Sequence, residues 1–276
     1  MENNIVCAEC GFESTAKDKF CKKCGGENMS LSEAFEWHKA GADEGVAIAQ
    51  YFVGYTYHLG KIVKQSYSEA AKWYRLAAAQ GFVQAQIRLG RMYSDGEGVT
   101  QSYSEAAKWY RLAADQGHVI SQHLLGIMYA NGHGVTQSYS EAAKWYRLAA
   151  DQGRVEAQFS LGLMYNNGEG VTQSYSEAAK WYRLAADQGQ DKAQHNLGIL
   201  YTNGEGVTQS DKEAIKYYKL AADQGLAISQ HTIGFMYEGG HLGVIQSDKE
   251  AIKYYKLAAD QGNLDAKKDL DRMKNK

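Results

Sequence analysis

Along Ser138–Gly153, SYSEAAKWYRLAADQG, apolar residues fall at Ala142, Tyr146 and Ala150, flanked by Trp145 and Ala149, with polar residues filling the gaps. Steps of four place these positions on one side of a 3.6-residue helix, so the pattern predicts an amphipathic helix. Ser138, followed three residues later by Glu141, opens it as a capping box in which each side chain satisfies a backbone donor of the first turn. Gly153 supplies a left-handed stop. The next stretch, RVEAQFSLGLMYNN, continues the period through Ala157, Leu161, Met164 and Tyr165 until Gly168 and Gly170. Each unit therefore reads as two antiparallel helices of roughly 14 residues.

The unit recurs. Near-identical copies start at Ser66, Ser102, Ser138 and Ser174, and SDKEAIKYYKLAADQG follows from Ser210 and Ser247, so the starts lie 36 residues apart with one step of 37. Ser32, Glu33, Ala34, Trp37 and Gly45 match the later copies, which places a degenerate first repeat from near Ser30. Such self-similarity means stacked copies of one supersecondary unit that share a continuous core. The expected fold is all-α: an α/α solenoid (superhelix) of about seven helix-turn-helix repeats over residues 29–276, preceded by a small zinc ribbon over residues 1–28. The last helix, NLDAKKDLDRMKNK, trades apolar positions for charge and reads as a polar end cap.

Two features of the repeat bear on packing. Gly162 and its equivalents Gly54, Gly90, Gly126, Gly198 and Gly234 interrupt the second helices, at a cost of about 1 kcal/mol each relative to alanine. Close approach of a neighbouring helix is the expected gain. Trp37, Trp73, Trp109, Trp145 and Trp181 share one register, which marks core positions.

The cysteines are confined to the start: Cys7 and Cys10, then Cys21 and Cys24, two C-x2-C pairs separated by ten residues. Four thiolates at this spacing suit tetrahedral zinc and leave no coordination position for a catalytic water, so one structural zinc ion is expected. A segment this short lacks a sufficient core, and the metal would supply its folding energy. The arrangement CxxCG…FCxxCG resembles the short zinc ribbons found at the ends of many bacterial proteins, over roughly residues 5 to 27.

Composition narrows the functions. Lys plus Arg total 30 against 32 Asp plus Glu, a balance that disfavours nucleic acid and gives no attraction to an anionic membrane. Within the ribbon, Lys17, Lys19, Lys22 and Lys23 are outnumbered by Glu2, Glu9, Glu13, Asp18 and Glu27. No window has the length and apolarity of a membrane span or a signal peptide. A cytoplasmic, monomeric protein is the expectation. No repeat carries a cysteine to staple it.

The string AQFSLGLMYNNGEGVTQSYSEAAKWYRLAADQG from Ala157 resembles the Sel-one-like repeat, a relative of the tetratricopeptide repeat, and nearly all of residues 30 to 265 conform. The family usually has proline after GV, where this chain has Thr100, Thr136, Thr172 and Thr208, with Lys64 and Ile245 in the edge copies. The resemblance implies a non-enzymatic scaffold or adaptor that binds a protein or peptide, with the ribbon as a cap or second docking module. Two alternatives stay open: a hydrolase of the β-lactam-binding type associated with secreted, disulfide-rich relatives, whose per-repeat cysteines are lacking here, and a translocated bacterial effector that binds host proteins. Local matches to catalytic motifs fail on context. The GEG triplets lack GxGxxG spacing and follow no strand, and Ser14–Lys17 matches S-x-x-K without SDN or KTG.

For a partner surface, the first helices offer a repeated basic ladder that includes Lys108, Arg111, Lys144 and Arg147. The alternative is a solvated face on which Lys144 pairs with Glu141 and Arg147 with Asp151. In the second helices one register varies through Ile87, His123, Phe159, His195 and His231, where an address for a partner could be written. The histidines of that register do not form a metal site, because equivalent residues in adjacent repeats are separated by a helix spacing of roughly 8 to 10 Å.

Overall fold

The computed structural model describes residues 4–7, 13–15 and 28–275. The cores follow the 3.6-residue apolar period, and what packs against what is set by single residues of the repeat. Three short strands come first, β1 (Asn4–Cys7), β2 (Glu13–Thr15) and β3 (Asn28–Ser30), in an antiparallel sheet of order β2-β1-β3. Cys10, Cys21 and Cys24 lie outside the described residues, and with them the expected ribbon.

The chain divides into two compact units, Met1–Gln137 and Ser138–Lys276. In the first unit the sheet is followed by three helical hairpins: α1 (Leu31–Asp43) with α2 (Ala47–Leu59), α3 (Tyr67–Ala79) with α4 (Val83–Asp95), and α5 (Tyr103–Asp115) with α6 (Val119–Asn131). The second holds α7 (Tyr139–Asp151) with α8 (Val155–Asn167), α9 (Tyr175–Asp187) with α10 (Asp191–Asn203), α11 (Asp211–Asp223) with α12 (Ala227–Gly239), and α13 (Asp248–Asp260) with α14 (Leu264–Lys274). The fold class is the all-α solenoid read from the sequence.

In α7 the expected stripe is buried: Ala142, Trp145, Tyr146, Ala149 and Ala150 all lie in the core. Gly153, at φ +87°, follows the C-cap residue Gln152. The N-terminal caps are simpler than the capping box predicted. Each serine accepts from the backbone N–H of the glutamate three residues on, but the reciprocal bond from the glutamate forms only at Ser30 and Glu33. The reason is a competing acceptor. The N–H groups of Ser66, Ser102, Ser174, Ser210 and Ser247 donate instead to carbonyls of the preceding second helix, those of Tyr57, Tyr93, Tyr165, Tyr201 and Tyr237. The glutamates are thereby released for other partners.

Mid-helix glycines serve the close approach expected of them. A Cβ at Gly162 would lie 2.6 and 2.7 Å from ring carbons of Tyr182 on the next repeat, and Gly90 meets Tyr110 in the same way at 2.8 Å. The aromatic register packs backwards: Trp73 sits against Ala42, Ala49 and Val53, and Tyr217 joins the cluster of Ala178, Ala185 and Leu197. The 37-residue step comes from a short 3-10 turn, His241–Gly243, in which Leu242 packs against the cluster of Ala214, Tyr218 and Ile233. The polar end helix α14 still buries Ala266, Leu270 and Met273. A network of Glu238, Arg272, Asp269 and His231 holds it at the edge of the unit, with Arg272 bidentate on Glu238 and His231 Nε2 2.8 Å from Asp269 Oδ2.

Candidate functional site

The first helices recur almost unchanged, so their outward groups define the surface this protein presents most often. On α7 the residues Lys144, Leu148 and Asp151 share one exposed face at i, i+4 and i+7. Lys144 Nζ lies 2.6 Å from Glu141 Oε1, the carboxylate released from cap duty, and Lys108 pairs with Glu105 at 2.5 Å. The same pair forms at Lys72–Glu69, Lys180–Glu177, Lys216–Glu213 and Lys253–Glu250. Exposed pairs of this kind contribute only a few tenths of a kcal/mol, but they do cancel the lysine charges locally.

The arginines are differently engaged from the expected Arg147–Asp151 pair. Arg147 donates through Nη2 to the hydroxyl of Tyr165, on the second helix of its own repeat, and its guanidinium lies 5.6 Å from the Tyr165 ring centroid. Arg111 donates to Tyr129 in the same way, Arg183 to Tyr201 at 2.6 Å and Arg75 to Tyr93 at 2.9 Å. A guanidinium both stacked on an aromatic face and bonded to its hydroxyl clamps the two helices of a hairpin together. Lys108, Arg111, Lys144 and Arg147 therefore sit on the surface as members of internal pairs, not as a bare basic ladder.

Between these charged groups the face exposes apolar side chains. Leu148, Leu184, Leu220 and Leu257 in the second unit are 47%, 47%, 41% and 42% exposed, and Leu76 and Leu112 in the first are 50% and 46% exposed. Sequence reasoning passed over them because they fall outside the buried stripe. The signal was present: a leucine between Lys144 and Asp151 on the polar side of the helix, repeated in every copy but the first, which has Ala40 there.

Of the variable second-helix register, His123 and His195 are buried, which removes them from a partner's reach and corrects their assignment to an address surface. His195 Nδ1 lies 2.8 Å from Ser229 Oγ of the next repeat, and burial pushes its pKa down to about 4. His231 is half-buried and engaged with Asp269. Among the described residues no group of three His, Cys, Asp or Glu side chains could hold a metal ion, and no helix is long and apolar enough to cross a membrane.

A second set went unread in the sequence. Gln158, 3% exposed on α8, donates from Nε2 to the Ala150 carbonyl at 3.1 Å and accepts at Oε1 from Gln188 Nε2 of the next repeat at 2.8 Å. Gln80 to Gln50, Gln116 to Gln86, Gln224 to Gln194 and Gln261 to Gln230 repeat the link. Each is a buried polar tie with every partner supplied by the repeat itself.

Stacked helical hairpins that repeat one internal chemistry define a repeat protein of the α/α solenoid class. The Sel1 repeat model matches residues 28–46, 47–82, 83–118, 119–153, 155–190, 191–226 and 227–263, and the chain belongs to that family. The crystal structure of c5321, a protective antigen of uropathogenic Escherichia coli strains displaying an SLR fold, is 37% identical with a TM-score of 0.82 and is matched over 87% of this chain. This chain spans 51% of that antigen's length. A Sel1 repeat protein from Oxalobacter formigenes is 31% identical over 82% of this chain and 90% of its own, with a TM-score of 0.65. The C-terminal part of a TPR repeat-containing protein from Cytophaga hutchinsonii shares the fold at 16% identity and a TM-score of 0.50, over 85% of this chain and 92% of its own. No curated protein matches the sequence.

Proposed function

We propose that this protein is a non-enzymatic scaffold whose first-helix faces bind a protein or peptide through their exposed leucines. The observation that carries this is the leucine row in each unit, beside lysines paired with glutamate and, at Leu76, Leu112, Leu148 and Leu184, beside arginines clamped to tyrosine. Repeated apolar exposure among largely paired charges supports an interaction site. Membership of a family whose repeats generally serve protein binding supports the same reading. The partner is apolar along one side, in place of the acidic partner a bare basic ladder would select.

The four thiols of Cys7, Cys10, Cys21 and Cys24 would hold one structural zinc. Their spacing supports this, as does the antiparallel pairing that sets Cys7 opposite Asn28, just after the second C-x2-C pair. When bound, the ion supplies folding energy to that segment and no chemistry. Confinement of the thiols to these pairs fits a cytoplasmic location.

A peptide library selected on the purified full chain tests the scaffold reading. Selected peptides should carry recurrent apolar residues, and their affinity should fall about 10-fold or more on the combined substitution Leu148→Ser, Leu184→Ser and Leu220→Ser. Peptides whose binding ignores these substitutions would refute the leucine face. Elemental analysis should return one zinc per chain, and none in a Cys7→Ser, Cys24→Ser variant.

A further inference from the structure

One ring of the tryptophan register stands apart from the others. At Trp73 and Trp181 the ring meets the cation of the preceding first helix: Lys39 Nζ lies 4.8 Å from the Trp73 centroid, and the Arg147 guanidinium 5.7 Å from that of Trp181. Lys39 and Arg147 occupy the same position of the repeat. The protein thus shows twice which chemistry its tryptophan face accepts.

Trp37 is the first member of the register, and its ring behaves differently. It is 54% exposed, against 8% for Trp145 and Trp181, and among the described residues no Lys or Arg is placed over it. It forms one wall of a pocket of about 340 Å³ lined by Phe52, His38, Val46, Ile48 and Glu44 among others. The rings are fixed against one another: Trp37 and His38 meet edge to face at 4.9 Å, and His38 and Phe52 centroids are 4.6 Å apart. His38 donates from Nδ1 to the Ala34 carbonyl at 2.6 Å, and burial lowers its pKa from the ordinary histidine value, which disfavours a positive charge on the ring. Glu44 supplies a carboxylate to the same pocket, and no ion pair engages it among the described residues.

The geometry points to the Trp37 pocket as a receptor for an arginine side chain presented by a partner protein, with the guanidinium over the indole and paired with Glu44. Aromatic face and carboxylate together select a cation, and the pocket's apolar floor accommodates the methylene stem. The site is independent of the leucine rows, so either reading can fail alone.

The test uses the full chain carrying 15N-labelled tryptophan, with the Trp37 indole N–H signal assigned by its loss in Trp37→Phe. The probes are acetyl-Gly-Arg-Gly-amide and its citrulline counterpart, which keeps the shape and lacks the charge. The arginine peptide should move the Trp37 signal saturably, the citrulline peptide should bind at least about 5-fold more weakly, and Glu44→Gln should weaken the arginine peptide by about 2- to 5-fold. Leu148→Ser should leave the response intact. An absent or non-saturating response, or equal response to citrulline, would overturn the proposal. A Trp37 shift that follows protein concentration without peptide would give the face to a second copy and overturn it as well.

Discussion

Replacing Gln158 by methionine isolates the link between neighbouring repeats. The two side chains are similar in volume, so little cavity forms at a site only 3% exposed, and the main loss is two hydrogen bonds. Neutral bonds contribute about 0.5–1.5 kcal/mol each, which bounds the cost at about 1–3 kcal/mol. The lower half applies, because the Ala150 carbonyl keeps the Gly153 N–H at 2.9 Å, and Gln188 Nε2 retains the Gly153 and Leu184 carbonyls at 3.3 and 3.4 Å. Gln188→Ala removes the same inter-repeat bond from the other side. Urea unfolding of wild type, both single variants and the double variant forms a cycle whose coupling should be about 0.5–1.5 kcal/mol. Single-variant costs that add to within about 0.3 kcal/mol would refute the view that this bond ties repeat to repeat.

Other outcomes follow from the same structure. Gly162→Ala gains about 1 kcal/mol of helix propensity but drives a methyl into the buried Tyr182 ring, costing about 1–3 kcal/mol, so thermal denaturation should show no stabilisation; a raised Tm would refute the contact. His195 is held near pKa 4 while the unfolded chain titrates near 6.5, so the unfolded state binds more protons between those values. Stability should be fully present above pH 6.5 and fall as pH drops towards 4, by at most about 3 kcal/mol, and His195→Gln should flatten that slope in urea titrations at successive pH values. Lys144→Gln should change stability by no more than about 0.5 kcal/mol. Arg147→Gln, which also loses the tyrosine clamp, should cost about 1 kcal/mol or more in the same assay, and equal effects would discount the clamp.

The helices were legible because their causes are local. Ser138 before Glu141, Gly153 after the last turn and the run Ala142, Tyr146, Ala150 fix start, stop and buried face without reference to the rest of the chain. Gly162 announced a close approach, although only the structure names Tyr182 as what approaches. The surface was harder to read because charge alone does not say who pairs with whom. Whether Arg147 meets Asp151 or Tyr165 depends on how far the second helix returns, and that distance is tertiary. The Lys144–Glu141 pair of the solvated-face reading does form, three residues apart on one helix, while the reciprocal cap bond expected of Glu141 does not, since Ser N–H groups elsewhere in the series are taken by carbonyls remote in sequence. His195 likewise finds its partner in Ser229, thirty-four residues away.

The glutamine tie has an evolutionary corollary. Gln116 on Gln86 and Gln224 on Gln194 are the same joint written with the same two residues. Excising or duplicating one whole period would bring together ends that already fit, so the number of copies can drift in the gene without any compensating substitution. Lineages could then lengthen or shorten this protein as readily as they alter a single codon, and reach would be adjusted by counting.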